Sequence, residues 1–149
     1  MRQFVLAVVV SLSTVCGALA ASPEEEAAFV DTYRKAFEAQ DAATLEGLLF
    51  ADGAIPMALD FYKMAMTADF GKPITTIALV DLTDAEKAEV ASVMPTPDGG
   101  NARLAPPPYK KLVITIETKD ENGTSTSTSS AYVAEQDGRL GISVPVAAD

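Results

Sequence analysis

The spacing of apolar residues changes along this chain, and the change limits its fold more than any other feature. From Pro23 to about Asp69 they recur three and four residues apart. From Tyr109 to Val144 they alternate. Helix-period segments gathered ahead of strand-period segments define an α+β fold, with helices in one layer and antiparallel sheet in another.

Local signals punctuate that pattern. Ser22-Pro23-Glu24-Glu25 predicts a helix start. The Ser22 hydroxyl accepts from a free first-turn amide, Pro23 suits the first helical position, and Glu25 reaches back to complete a capping box. Glu24, Glu25 and Glu26 sit where the helix dipole favours negative charge. Phe29, Val30, Tyr33, Ala36 and Phe37 then share one face, so the first helix is expected from Pro23 to about Ala39. Asp41 caps a short second helix carrying Leu45, Leu48 and Leu49. Pro56 opens a third, reaching about Asp69, on which Met57, Phe61, Met64, Ala65 and Ala68 lie on one face. Tyr62, Met66 and Phe70 spread the apolar character round its side. Such a helix is expected to be well buried, or to line a cavity or an interface.

Gly71-Lys72-Pro73 ends the helical part. Ile74 to Asp81 reads as a strand, and Thr83-Asp84-Ala85-Glu86 as a second capping box opening a helix to about Ser92. The acidic cluster Asp81, Asp84, Glu86 and Glu89 lacks the spaced oxygens and turn glycine of a calcium loop, and reads as a solvated face. Met94 to Pro108 is a long connection rich in proline and glycine. It is expected to be a surface loop, with a lid or binding loop as the functional reading. Tyr109 to Lys119 and Thr124 to Glu135 read as strands joined at Asn122-Gly123, a strong hairpin signal that also opens a glycosylation acceptor with Thr124. The Thr/Ser run after it suggests an edge or solvated segment. Asp137-Gly138 turns into a last strand carrying Leu140, Ile142 and Val144.

The first twenty residues stand apart. Met1-Arg2, the apolar run from Phe4 to about Val15 and Ala18-Leu19-Ala20 form the pattern of a secretory signal peptide. Residues 1–20 are therefore expected to be a signal, residues 21–149 a single domain, and the protein exported, to a periplasm or outside the cell. No stable membrane anchor is expected after cleavage. Cys16 is the only cysteine and falls inside the signal, so the remaining domain holds no disulfide and no thiol chemistry. There is no histidine, which excludes histidine triads and the usual zinc sites. Arg2 also lies in the signal, so the remaining domain carries 21 acidic residues against ten basic ones. That balance repels a phosphate backbone, and no nucleic-acid partner is expected. No cofactor or metal is expected either.

Tyr33-Arg34-Lys35-Ala36-Phe37-Glu38-Ala39-Gln40-Asp41, followed by Leu45 and Leu48-Leu49-Phe50-Ala51-Asp52, resembles the nuclear transport factor two-like superfamily, which includes ketosteroid isomerase. Ala131-Tyr132-Val133-Ala134-Glu135-Gln136-Asp137-Gly138-Arg139-Leu140 looks like the last hairpin of such domains. The resemblance covers residues 23–146. It implies N-terminal helices packed against a curved antiparallel sheet, a cone of cystatin-like shape. It also implies a cavity lined by Tyr33, Phe37, Tyr62, Met66, Tyr109 and Tyr132. Tyr33 matches the tyrosine that stabilises an oxyanion in the isomerases. The base of those enzymes falls near Pro56, Met57 or Ala58, none of which accepts a proton, and Asp60 is the nearest carboxylate. The catalytic set is incomplete.

Three functions follow as expectations. The first is a non-catalytic binding module for a small apolar or amphipathic ligand. The second is a protein–protein or homodimerisation module with no ligand. The third is an isomerase or lyase using Tyr33 and Asp60, which requires both groups to face one cavity.

Overall fold

The computed structural model describes residues 20–148. The signal peptide expected over residues 1–20 lies, apart from Ala20, outside the described residues.

Helix α1 spans Pro23–Glu38, and its capping box forms as the sequence dictates. Ser22 Oγ accepts from the Glu25 amide at 3.2 Å, and Glu25 Oε2 accepts from the Ser22 amide at 2.7 Å. Its buried face is Phe29, Tyr33, Ala36 and Phe37. Helix α2, Ala42–Gly47, is capped by Asp41, whose Oδ1 accepts from the Thr44 amide. Helix α3 spans Pro56–Thr67, β1 spans Thr76–Asp81, and α4, Asp84–Val90, opens with the second capping box.

The remaining strands are β2 (Met94–Pro95), β3 (Asn101–Ala105), β4 (Lys110–Asp120), β5 (Gly123–Gln136), β6 (Arg139–Ile142) and β7 (Val144–Ala148). They form two antiparallel sheets, in the orders β1-β4-β5-β6 and β2-β3-β7. The architecture is α+β, as the change of hydrophobic period requires.

Two expectations change. The 94–108 connection is not structureless: it contributes β2 and β3, which pair with each other, and β3 pairs in turn with β7. The last strand is not one strand. It leaves the four-stranded sheet after Ile142 and enters the three-stranded sheet at Val144, so the chain couples both sheets at Ser143. Ser143 is fully buried, and its Oγ donates to the Pro106 carbonyl at 2.7 Å, which keeps a buried hydroxyl satisfied at the crossing. The crossing is tight. A side chain at Gly141 would meet the Leu48 carbonyl oxygen and the Phe50 ring, each at 2.7 Å.

The core fills the space between α1, α2 and the inner face of the larger sheet. Leu45, Leu112, Val133, Ile142 and Val144 are fully enclosed, with Phe29, Tyr33, Phe37, Ile114 and Ile116 around them. Fully burying a side chain of this size contributes roughly 1.5–3 kcal/mol. Tyr33 stacks on Phe37, and Phe37 meets Phe70 edge to face at 5.7 Å. Polar ties fix the layers. Arg34 donates to the Ile74 carbonyl at 2.7 Å, and Glu38 accepts from the Ile74 amide at 2.9 Å. Tyr109 donates to Glu26 at 3.0 Å, and Lys110 donates to the same carboxylate at 2.8 Å.

Candidate functional site

Helix α3 follows Pro56 and is held at its start by the Ile55 amide, which donates to the Pro145 carbonyl of β7 at 2.9 Å. The helix therefore leans on the smaller sheet and leaves a depression on each side.

The outcome for its apolar stripe reverses the simplest expectation. Met57, Phe61 and Met64 are 74 %, 59 % and 63 % exposed, while Met66 is the buried residue of the helix. Ala65 and Ala68 are exposed too. Large apolar side chains left this open in succession on one helix are not part of the packing of the described residues.

Beside that stripe runs a groove of about 620 Å³. Met57, Phe61 and Tyr62 of α3 form one wall, and Met94, Pro95 and Pro97 form the other. Pro145 and Ala147 of β7 make the floor, with Asp98 and Asn101 supplying polar groups at one end. The volume and the lining, apolar with a few polar groups, match a small-molecule site.

On the other side of α3 lies a smaller cleft of about 250 Å³. Tyr33, Tyr62, Met66 and Tyr132 meet there with Phe61, Ile114 and Ser129. Burial pushes the Tyr33 phenol up to about 12. It also raises Tyr62, with Tyr132 adding to the effect, and it raises Tyr132. All three phenols are neutral at pH 7, so the cleft carries hydroxyl groups and no formal charge.

The cavity implied by the resemblance is thus only partly assembled. Four of its six lining residues converge, and two do not. Phe37 is enclosed between Tyr33 and Phe70 in the core. Tyr109 is drawn away by Glu26, and burial together with that hydrogen bond raises its pKa. The catalytic pairing is not formed either. Asp60 is exposed, and neither it nor any other carboxylate lines the cleft around Tyr33. A general base must stand within reach of the proton it removes, so the Tyr33–Asp60 reading falls.

Sequence reasoning did not place Met94, Pro95, Pro97 and Pro145 in a site. Two signals pointed there: an α3 apolar on more than one face, and a connection long enough to be a binding loop. Joining them required the pairing of β3 with β7. Among the described residues there is no cluster of three or more acidic, cysteine or histidine side chains placed to hold a metal ion.

No family model, curated protein or solved structure matches this chain.

Proposed function

We propose that the protein is a non-catalytic binding module for a small apolar or amphipathic molecule, held in the groove between α3 and β2–β3–β7. The observation that carries this reading is the pair of exposed apolar side chains Met57 and Phe61 walling a groove of about 620 Å³. Methionine suits such a wall, because its unbranched thioether adapts to ligand shape. The neutral phenols of Tyr33, Tyr62 and Tyr132 across α3 offer hydrogen bonds to the polar end of an amphipathic ligand that reaches past Phe61.

The same proposal covers export and ancestry. The signal-peptide pattern in residues 1–20 supports export to a periplasm or outside the cell, where an apolar ligand needs a carrier or a receptor. The motifs around Tyr33 and Leu48 support placing the chain with the nuclear transport factor two-like cones, as a member without the isomerase's base.

Native mass spectrometry of the protein purified from its own host tests the reading. A stoichiometric adduct released by organic solvent is expected. Bare protein, together with failure to take up any apolar compound offered afterwards, would contradict it.

A further inference from the structure

Exposed strand edges invite pairing, and folded proteins protect them with short strands, proline, charge or covering segments. This chain does so at several edges. Arg34 and Glu38 take up the Ile74 carbonyl and amide just before β1, whose own outer edge is only six residues long and ends in the charged Asp81. The outer edge of β6 is covered by the segment after α2: Phe50 donates to the Ile142 carbonyl, and the Ile142 amide donates to Leu48. β2 is two residues long and contains Pro95. β7 contains Pro145 and is bridged by Ala54.

β5 leaves the longer edge open, and leaves it without charge. β6 pairs only with Val133–Gln136, and Ser143 donates to Tyr132 just beyond. From Thr124 to Ala131 the outer edge has no strand beside it among the described residues, and Gly123–Ser130 is exposed throughout. The register with β4 runs without interruption from Lys110↔Val133 to Asp120↔Gly123, so no bulge turns this edge aside. Asn122 to Ala134 contains no charged residue, in a chain of net charge −10.

The hydrogen-bond phase is fixed as well. Val133 turns its carbonyl toward β4, where Tyr109 donates to it, and Tyr132 turns its own outward to Ser143. Strand groups alternate in direction, so Thr124, Thr126, Thr128 and Ser130 point their amides and carbonyls at the open edge.

We infer that this edge pairs with the same edge of a second copy, antiparallel about a two-fold axis through Ser127. That register sets Thr124 opposite Ser130 of the second copy and Thr126 opposite Thr128. Every outward residue is then matched in a hydrogen-bonded pair. The side chains meet as Thr–Thr and Thr–Ser pairs, which are favourable across strands. No like charges meet, although both molecules are strongly acidic. Both copies present the same patch, as a closed two-fold interface requires. The larger sheet becomes continuous across the dimer. The inference does not depend on the ligand proposal.

Analytical ultracentrifugation at micromolar concentration tests it, with far-UV circular dichroism as the control for folding. The wild-type chain is expected to sediment as a dimer. Thr128→Pro removes an outward amide without touching the β4 ladder, and should raise the dimer dissociation constant about tenfold or more while the fold is kept. A second readout stands even if that variant does not fold. In a Cys16→Ser background, Ser127→Cys faces itself in a narrow pair with Cα atoms about 4.5 Å apart, within disulfide reach. Ser125→Cys is offset from its own copy by roughly 14 Å and should not cross-link. Selective cross-linking of Ser127→Cys supports the register. A wild-type monomer, a dimer indifferent to a folded Thr128→Pro, or equal cross-linking at both positions would overturn the inference.

Discussion

The rings of Phe61 and Tyr62 meet edge to face, with centroids 6.4 Å apart and planes at 78°. Both residues wall both depressions beside α3, yet Phe61 is 59 % exposed and Tyr62 is half-buried against the core. One ring anchors the helix and its neighbour is left for something else to cover.

The crossing between the two sheets is predicted to be the least forgiving point of the backbone. Gly141→Ala pushes a methyl group against the Leu48 carbonyl and the Phe50 ring. Overpacking of this kind costs about 1–3 kcal/mol. Urea unfolding should show a lower midpoint with an unchanged slope. A midpoint equal to that of the wild type would mean the crossing relaxes freely.

Leu112 lies at the centre of the four-stranded sheet and is fully enclosed. Leu112→Ala is expected to lose about 2–5 kcal/mol of stability, from lost burial and the cavity it leaves. The same truncation at exposed Met64 should change stability by less than about 0.5 kcal/mol. Denaturant curves of the two variants test whether the core is where the structure puts it.

Alkali should weaken the fold through Tyr33. Its folded pKa of about 12 exceeds the ordinary 10.0 because burial disfavours the phenolate. An unfolded chain ionises first, so this contribution is intact below pH 10 and is lost as pH rises toward 12. Tyr33→Phe should flatten the fall in melting temperature across that window while leaving it nearly unchanged at pH 7. Tyr62 and Tyr132 shift in the same direction, so part of the alkaline loss remains.

Acid acts in the opposite sense at Glu86. Its hydrogen bond from Lys111, with the Thr83 amide, holds the carboxyl at about 2 instead of 4.5. The contribution is present above pH 4.5 and is lost as pH falls through about 2. Lys111→Met should return the Glu86 carboxyl toward its ordinary value, read directly by NMR titration of its side-chain carbon.

What the sequence made legible follows from where each signal acts. Capping boxes at Ser22–Glu25 and Thr83–Glu86 are settled within a few residues and both form; the hairpin turn also forms within Asp120–Gly123, but its two loop residues are Glu121 and Asn122, with Gly123 already in β5. The stripe Met57–Phe61–Met64 shows which side chains share a face. It carries no information on whether another element covers that face, and none of the described elements does. β3 hides in a proline-rich segment because its partner β7 lies some 40 residues downstream, and β2 forms only against β3. The division of the last strand at Ser143 is likewise a tertiary event. For the site, the tyrosines and Met66 of the smaller cleft were legible one by one, but Phe37 and Tyr109 were claimed by nearer partners. The larger groove exists only once β3 lies against β7.

Fluorescence titration with the neutral apolar dye Nile red, on wild type and on Met57→Ser/Phe61→Ser, tests the binding proposal most directly. Saturable uptake at one site per chain is predicted for the wild type. The double variant should bind about tenfold more weakly or worse, with its melting temperature nearly unchanged because both side chains are exposed. Uptake that never saturates, or equal affinity in the two proteins, would contradict a ligand groove beside α3.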